Sequence, residues 1–232
     1  ITAANESPVS MDFEYATKTG EHREARGRGW VLEDDEGKRI GIQGVVRDIT
    51  DIKKIEDNRR RYEEQLEALH RHASKLALAE SFDEVIEESL DVIQEMLGFE
   101  WSCFGIVEGD SLSLRYRKGM RIDSGKLPLD GRGITVRCVR SSETQNIGDI
   151  REDPDYIVGP AAQSRKFLSE LDVPVIIDGA VVGVFNIESE ELDAFTEHDQ
   201  RLMETLANHV ASAIERLGRL EIERAAQEKY LN

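Results

Sequence analysis

The sequence predicts an α+β chain: an antiparallel sheet with flanking helices, preceded by a long linker helix and, before that, by three antiparallel strands. Three observations predict it. Apolar residues alternate with period two up to about residue 50. From Thr50 the apolar period lengthens to about 3.5. From Ser81 onward, short alternating runs sit between two capped helical runs.

The opening strands are Met11 to Thr17, Arg23 to Leu32 and Arg39 to Arg47, with Ile40, Ile42 and the Val45-Val46 pair as apolar positions of the third. The turns between them are Lys18-Thr19-Gly20-Glu21 and Asp34-Asp35-Glu36-Gly37. Three strands of this length make a poor domain by themselves and need a partner surface.

In the linker helix, Ile52, Arg59, Leu66 and Ala73 are seven apart, as are Ile55, Tyr62, Leu69 and Leu76. These are a and d positions of one seam, with Arg60, Glu63 and Glu67 off it, and they predict a two-stranded coiled coil. The competing reading is a surface helix lying on its own domain. Arg59 weakens the seam and helps set register.

Ser81-Phe82-Asp83-Glu84 is a capping box ahead of a helix from Asp83 to Leu97, ended by Gly98. Strands follow at Trp101 to Val107 and through Leu112, Leu114 and Tyr116. Gly131-Arg132-Gly133 opens a short helix carrying Ile134 and Cys138, Ile147 starts an extended stretch, and Asp153-Pro154 and Gly159-Pro160 mark a loop. Strands at Val173 to Ile177 and Val181 to Ile187 flank the hairpin turn Asp178-Gly179. Thr196-Glu-His-Asp199 caps the last helix, whose seam is Met203, Leu206, Val210, Ala213, Leu217 and Leu220; Ala207, Ala211 and Ile214 form a second stripe that covers the sheet. The domains expected are 1–50, 51–80, 81–217 and a helical extension 218–232.

Composition narrows the partners. The 232 residues carry a net charge of -17 and 33% charged residues, which disfavours nucleic acid and anionic membrane surfaces. Two cysteines make no disulfide framework. No apolar run reaches the roughly 18 residues of a membrane span, and no signal peptide opens the chain. A cytoplasmic location and no direct membrane contact are expected, and the first residue, Ile1, suggests a piece of a longer protein.

Two stretches resemble known families. Lys18-Thr-Gly-Glu21, Asp35-Glu-Gly37 and Gly44-Val-Val-Arg-Asp-Ile-Thr50 resemble the C-terminal (PAC) motif of PAS domains, with Asp48, Ile49 and Thr50 at the junction where sheet hands over to signalling helix. Physically, Thr50 can cap that helix and Asp48 can tie strand to helix. Residues from about 83 to 217 resemble a GAF domain. The match is carried by Ser169-Glu-Leu-Asp-Val-Pro-Val-Ile, Gly179-Ala-Val-Val-Gly-Val-Phe-Asn-Ile-Glu-Ser189 and Phe195-Thr-Glu-His-Asp199, with Gly133-Ile134 and Asp149-Ile-Arg-Glu-Asp-Pro154 between. The order is similar to the input half of prokaryotic sensor histidine kinases. The resemblance implies a homodimer through the helices, a sensory and relay role, a GAF pocket for a small ligand, and a downstream kinase or other output domain.

The GAF resemblance also frames the candidate chemistry. Asn186, Phe195 and Asp199 match the motif of cyclic-nucleotide-binding GAF domains, but Ile187 and Gln200 stand where its lysine and glutamate belong, so that ligand is not expected; Asn186 and Asp199 read as capping and turn residues. Bilin-binding members use a cysteine beside a histidine, and Asp149 to Glu170 has neither. Cys103 and Cys138 read as small buried residues, with a redox or heme site as the sharper alternative and no local histidine to support it. Free methionine sulfoxide reductases, enzymes on the GAF fold, need more than two cysteines. No histidine has a kinase phospho-acceptor pattern, and no nucleotide-binding glycine loop occurs. The chain is therefore expected to be non-catalytic, with Cys103, Tyr116, Cys138, Tyr156 and Phe167 as candidate ligand contacts. A GAF domain serving only as a dimerisation scaffold, and an enzyme acting through Cys138, are the alternatives.

Overall fold

A computed structural model of the chain describes residues 2–3, 8–98, 101–117, 126–157 and 166–231. The expected loop mark Gly159-Pro160 lies outside these residues. The chain divides into two compact units, residues 1–64 and 65–232.

In the first unit, β1 (Thr2–Ala3), β2 (Val9–Ala16), β3 (His22–Glu33) and β4 (Arg39–Asp48) form an antiparallel sheet with β3 in the middle. Helix α1 (Thr50–Leu78) follows directly. Asp48 makes the junction. Its Oδ1 accepts from the Thr50 backbone N–H at 2.9 Å and hydroxyl at 2.7 Å, and its Oδ2 accepts from Tyr15 at 3.1 Å and Arg23 at 3.0 Å. These donors hold its carboxyl well below the usual range, the Thr50 hydroxyl first. Ile49 is buried, and Thr50 Oγ1 accepts from the Glu24 backbone N–H at 2.9 Å. Val9, Met11 and Phe13 lie opposite Gly29, Gly27 and Ala25, so one face of this sheet is apolar and glycine-lined.

The second unit is a six-stranded antiparallel sheet in the order β7-β6-β5-β10-β9-β8. Its strands are β5 (Trp101–Glu108), β6 (Ser111–Arg117), β7 (Lys126–Pro128), β8 (Gln145–Ile147), β9 (Ser169–Ile177) and β10 (Ala180–Ser189). Helices α2 (Phe82–Leu97) and α4 (Glu197–Leu231) cover one face with the C-terminal part of α1; α3 (Ile134–Ser141) belongs to the other. Both expected caps form. The Ser81 side chain accepts from Glu84 N–H, and Glu84 Oε2 reaches back to the backbone N–H of Glu80 at 2.8 Å. Asp199 Oδ2 accepts from Thr196 N–H at 2.9 Å, and Thr196 Oγ1 accepts from Asp199 N–H at 3.2 Å. Asp178 and Gly179 take φ of 51° and 80°, the two positive angles that a two-residue hairpin turn of this hand requires.

The main core lies between sheet and helices, where Phe104, Leu171, Val173, Val175, Phe185 and Ile187 meet Ile86, Ile93, Met203, Leu206 and Val210. The rings of Phe104 and Phe185 meet edge to face, 4.8 Å apart. This packing corrects the expected seams. Leu69, Leu76, Met203, Leu206, Val210 and Ala213 are buried inside this unit, and Leu217 packs against the same core, so these residues are not free to face a second subunit. Apolar periodicity reports which side of a helix is covered, not what covers it. Ile52, Ile55, Tyr62, Leu66 and Leu220 stay exposed, Ile55 at 67%. Polar contacts also join α1 and α4. Arg216 Nη2 donates to the carbonyls of Leu76 at 3.1 Å and Ala79 at 2.5 Å, closing the end of α1, and His198 bonds Gln65 at 2.8 Å.

Gly183 shows how tightly β5 and β10 are packed. A Cβ there would collide with the Phe104 ring and lie 2.8 Å from the Gly105 carbonyl oxygen. Gly183→Ala should therefore destabilise the chain by about 1–3 kcal/mol through overpacking. Leu206→Ala should cost about 2–5 kcal/mol through a cavity. Urea unfolding followed by circular dichroism measures both.

Candidate functional site

Leu171, Val173 and Val175 of β9 and Phe185 and Ile187 of β10 point to the helices, so their neighbours point the other way. Register then builds two rows on the second face. Trp101, Glu188, Glu170 and Ile147 are successive cross-strand partners, and so are Cys103, Asn186, Asp172 and Gln145. The rows thus carry three acids, Glu188, Glu170 and Asp172, of which Glu170 and Asp172 are buried, with the amides Asn186 and Gln145 beside them and Trp101 at one end.

Glu170 and Asp172 are 4% and 0% exposed. Asn186 Nδ2 donates to both, to Glu170 Oε1 at 2.9 Å and to Asp172 Oδ1 at 3.0 Å. Thr135 on α3 donates to Glu170 Oε1 at 3.3 Å. Cys103 Sγ donates to Asn186 Oδ1 at 3.3 Å, which fixes the amide's orientation. Asp172 Oδ2 is buried and has no hydrogen-bond partner among the described residues. An orphaned carboxylate oxygen in a dry site is costly and asks for a donor. Burial raises both carboxyls: Glu170 well above its usual range, with Asp172 adding to the rise, and Asp172 to about 7 in spite of the bonds it accepts.

Beside the acids, Ile134, Ile150 and Phe167 form a small core, with Trp101, Ile147 and Tyr156 packed on it and the Trp101 and Phe167 rings 6.0 Å apart. The stretch carrying Tyr156 is pinned by Arg137 of α3, which donates to Asp153 at 2.7 Å and to Asp155 at 2.9 Å. These bonds hold Asp153 below the usual carboxylate range and occupy the arginine.

Of the residues expected to touch a ligand, Tyr156 and Phe167 come together in this apolar wall, and Cys103 joins the amide network. Tyr116 pairs through its backbone with Phe104, and its side chain lies outside the described residues. Cys138 is corrected: it packs with Leu112, Val139 and Val184 in a separate cluster. Burial, with Asp172 and Glu170 nearby, pushes its thiol far up, which makes it a poor nucleophile and removes the reading of an enzyme acting through it. Asn186 is corrected too, as the centre of the acidic network rather than a turn residue. Glu170, Asp172, Thr135 and Trp101 were not singled out as site residues. The alternation of Glu170 and Asp172 with Leu171 and Val173 is the signal that exposes the first two. Among the described residues no cluster of three or more metal-ligating side chains occurs.

The acid pair sets a pH dependence. Its raised folded-state values mean that the folded chain binds more protons than the unfolded chain above the ordinary carboxylate range. The Asp172 contribution is complete below about pH 4 and is lost as pH rises through about 7. Asp172→Asn should match the wild type in stability near pH 4 and exceed it by about 1–3 kcal/mol at pH 8. Denaturant titrations across that range measure the difference.

The chain is 27% identical over 108 residues to the free methionine-R-sulfoxide reductase of Escherichia coli, an alignment covering 47% of this chain and 62% of that protein. The chain therefore spans less than two thirds of that relative. The structure of a free methionine-R-sulfoxide reductase from Neisseria meningitidis, in complex with its substrate, superposes with a TM-score of 0.60 at 26% identity, covering 67% of this chain and 91% of that one. The GAF domain of an Acinetobacter phosphoenolpyruvate-protein phosphotransferase superposes with a TM-score of 0.59 at 18% identity, covering 67% and 95%, a likeness of fold alone. The first two relatives overturn the expectation that this chain is no enzyme. That expectation rested on missing kinase motifs and on a cysteine count. No helix among the described residues is long and apolar enough to cross a membrane. The family model of the GAF domain matches residues 79–215, more than half of the chain, and this protein belongs to the GAF domain family.

Proposed function

We propose that this GAF domain binds a small free amino acid of the methionine sulfoxide class and passes its bound state to helices α1 and α4. The observation that carries the reading is the orphaned Asp172 Oδ2 in a buried two-carboxylate floor. An ammonium group supplies three donors and one positive charge, which is what Glu170 and Asp172 lack. The wall of Trp101, Phe167 and Tyr156 suits a short apolar or thioether side chain. The same acids repel phosphates, in keeping with the loss of the cyclic-nucleotide lysine at Ile187.

Transmission uses the sheet. Asn186 touches both acids, and its neighbours Phe185 and Ile187 lie in the core with Leu69, Leu76, Met203 and Leu206. A shift of β10 by a bound ligand changes the seat of α4, and Arg216 links α4 to the end of α1. In this reading the exposed Ile52, Ile55, Tyr62 and Leu66 pair with a second copy of the chain. The PAS-like end, with Asp48, Ile49 and Thr50, delivers or receives the signal, and a kinase or other output domain lies downstream in a longer parent.

Reduction of the bound sulfoxide, the activity named for the relatives, is the second reading, favoured by the position of Cys103 in the same network. There the thiol takes the sulfoxide oxygen, giving methionine and a cysteine sulfenic acid, and an added dithiol reduces that acid with release of water.

Calorimetry with free L-methionine-R-sulfoxide tests the binding reading. Saturable heat is expected, weakened roughly 10–100-fold in Asp172→Asn, whose amide lacks the charge; heat unchanged by that substitution, or none at all, sinks it. Methionine release with dithiothreitol as reductant tests catalysis, and loss of release in Cys103→Ser assigns it. For the pairing, sedimentation should show a dimer that Ile55→Glu converts to monomer, with the second unit's circular dichroism unchanged.

A further inference from the structure

We infer that the Glu170–Asp172 pair holds one proton when no cation faces it, and that the ammonium of a bound ligand displaces this proton to solvent. The inference rests on the binding site proposed above and adds its regulation: ligand affinity is set by pH.

The geometry is that of two like charges on one short stretch of strand, both out of water. The two acids are separated by one residue, point to the same face and share a single amide nitrogen. Among the described residues, the donors that reach them are neutral, namely Asn186 Nδ2 and the Thr135 hydroxyl. Among the described residues, Glu188 and Asp153 oppose a second negative charge and the remaining neighbours do not offset it. From β10, Glu188 stands in register with Glu170. From the segment after β8, Asp153 adds to the negative field. From α3 itself, Cys138 is a neutral thiol. From β5, Cys103 gives its hydrogen to Asn186 Oδ1 rather than to an acid. On α3, Arg137 is engaged by Asp153, Asp155 and Gln145.

Two carboxylates cannot both stay ionised under these conditions, and the buried pair retains a proton, as carboxyl dyads do. The direction of both raised carboxyls agrees. The exchange balances: an acid–carboxylate pair and R–NH3+ become two carboxylates paired with R–NH3+, and one H+ leaves to buffer. Near neutral pH the site is thus poised, and acidification empties it without any change of fold.

Two measurements on the full chain test this. Infrared spectroscopy at pH 6 should show the C=O band of a protonated carboxylic acid that is missing in the Glu170→Gln/Asp172→Asn double variant and vanishes on saturation with free L-methionine-R-sulfoxide. If the double variant is unfolded by circular dichroism, Asp172→Asn alone supplies the reference. Calorimetry in buffers of different ionisation enthalpy should give about one proton released per ligand at pH 6, with affinity rising about tenfold per pH unit from about pH 5 to 7 and levelling above. Absence of the acid band overturns the inference. A band that survives saturation, with heats independent of buffer, overturns it while leaving the binding reading intact. Absence of any binding heat removes the binding reading and this inference with it.

Discussion

The pairing register of β9 and β10 is the constraint on which the second unit depends. It sends Leu171, Val173, Val175, Phe185 and Ile187 under α2 and α4, and leaves Glu170, Asp172 and Asn186 on the opposite face. A slip of one residue would drive two carboxylates into the apolar core and expose five apolar side chains. Gly183 tightens the constraint, because only a residue without a Cβ lets the Phe104 ring close over β10. Core and site are therefore two consequences of one alternation.

The site is built from cost rather than from gain. Burying Glu170 and Asp172 disfavours the folded chain unless something cationic or a proton compensates, and the neutral donors Asn186 and Thr135 compensate only in part. Selection for stability alone would replace such a pair with apolar residues. A strained polar floor beside an aromatic wall is what a pocket needs if binding energy is to be greatest for a small cation with an apolar tail. Because the same strands carry the core that seats α4, a change at the floor has a short route to the helices.

Much of the fold was legible from local chemistry. Ser81 with Glu84, and Thr196 with Asp199, announced two helix starts, and Asp178-Gly179 announced a hairpin, since each uses interactions confined to four residues. The site was less legible. Strand β9 begins at Ser169, four residues before the apolar run that marks it, because its polar half is buried by tertiary contacts with α3 and β10 that no local pattern reports. The short edge strand β7 carries too few residues for any period. The helical seams were expected to pair with a second subunit; Leu69, Leu76, Met203 and Leu206 are covered by their own domain while Ile55, Tyr62 and Leu66 stay exposed, and periodicity is blind to that difference. Asn186 looked like a turn residue until its strand partners Cys103 and Asp172 were known.

A crystal structure of the chain grown with free L-methionine-R-sulfoxide tests the central claim most directly. The account predicts the amino nitrogen within hydrogen-bond reach of Asp172 Oδ2 and Glu170, with the side chain against Trp101 and Phe167. A ligand seated elsewhere, or seated here with its amino group turned away from both carboxylates, would contradict it.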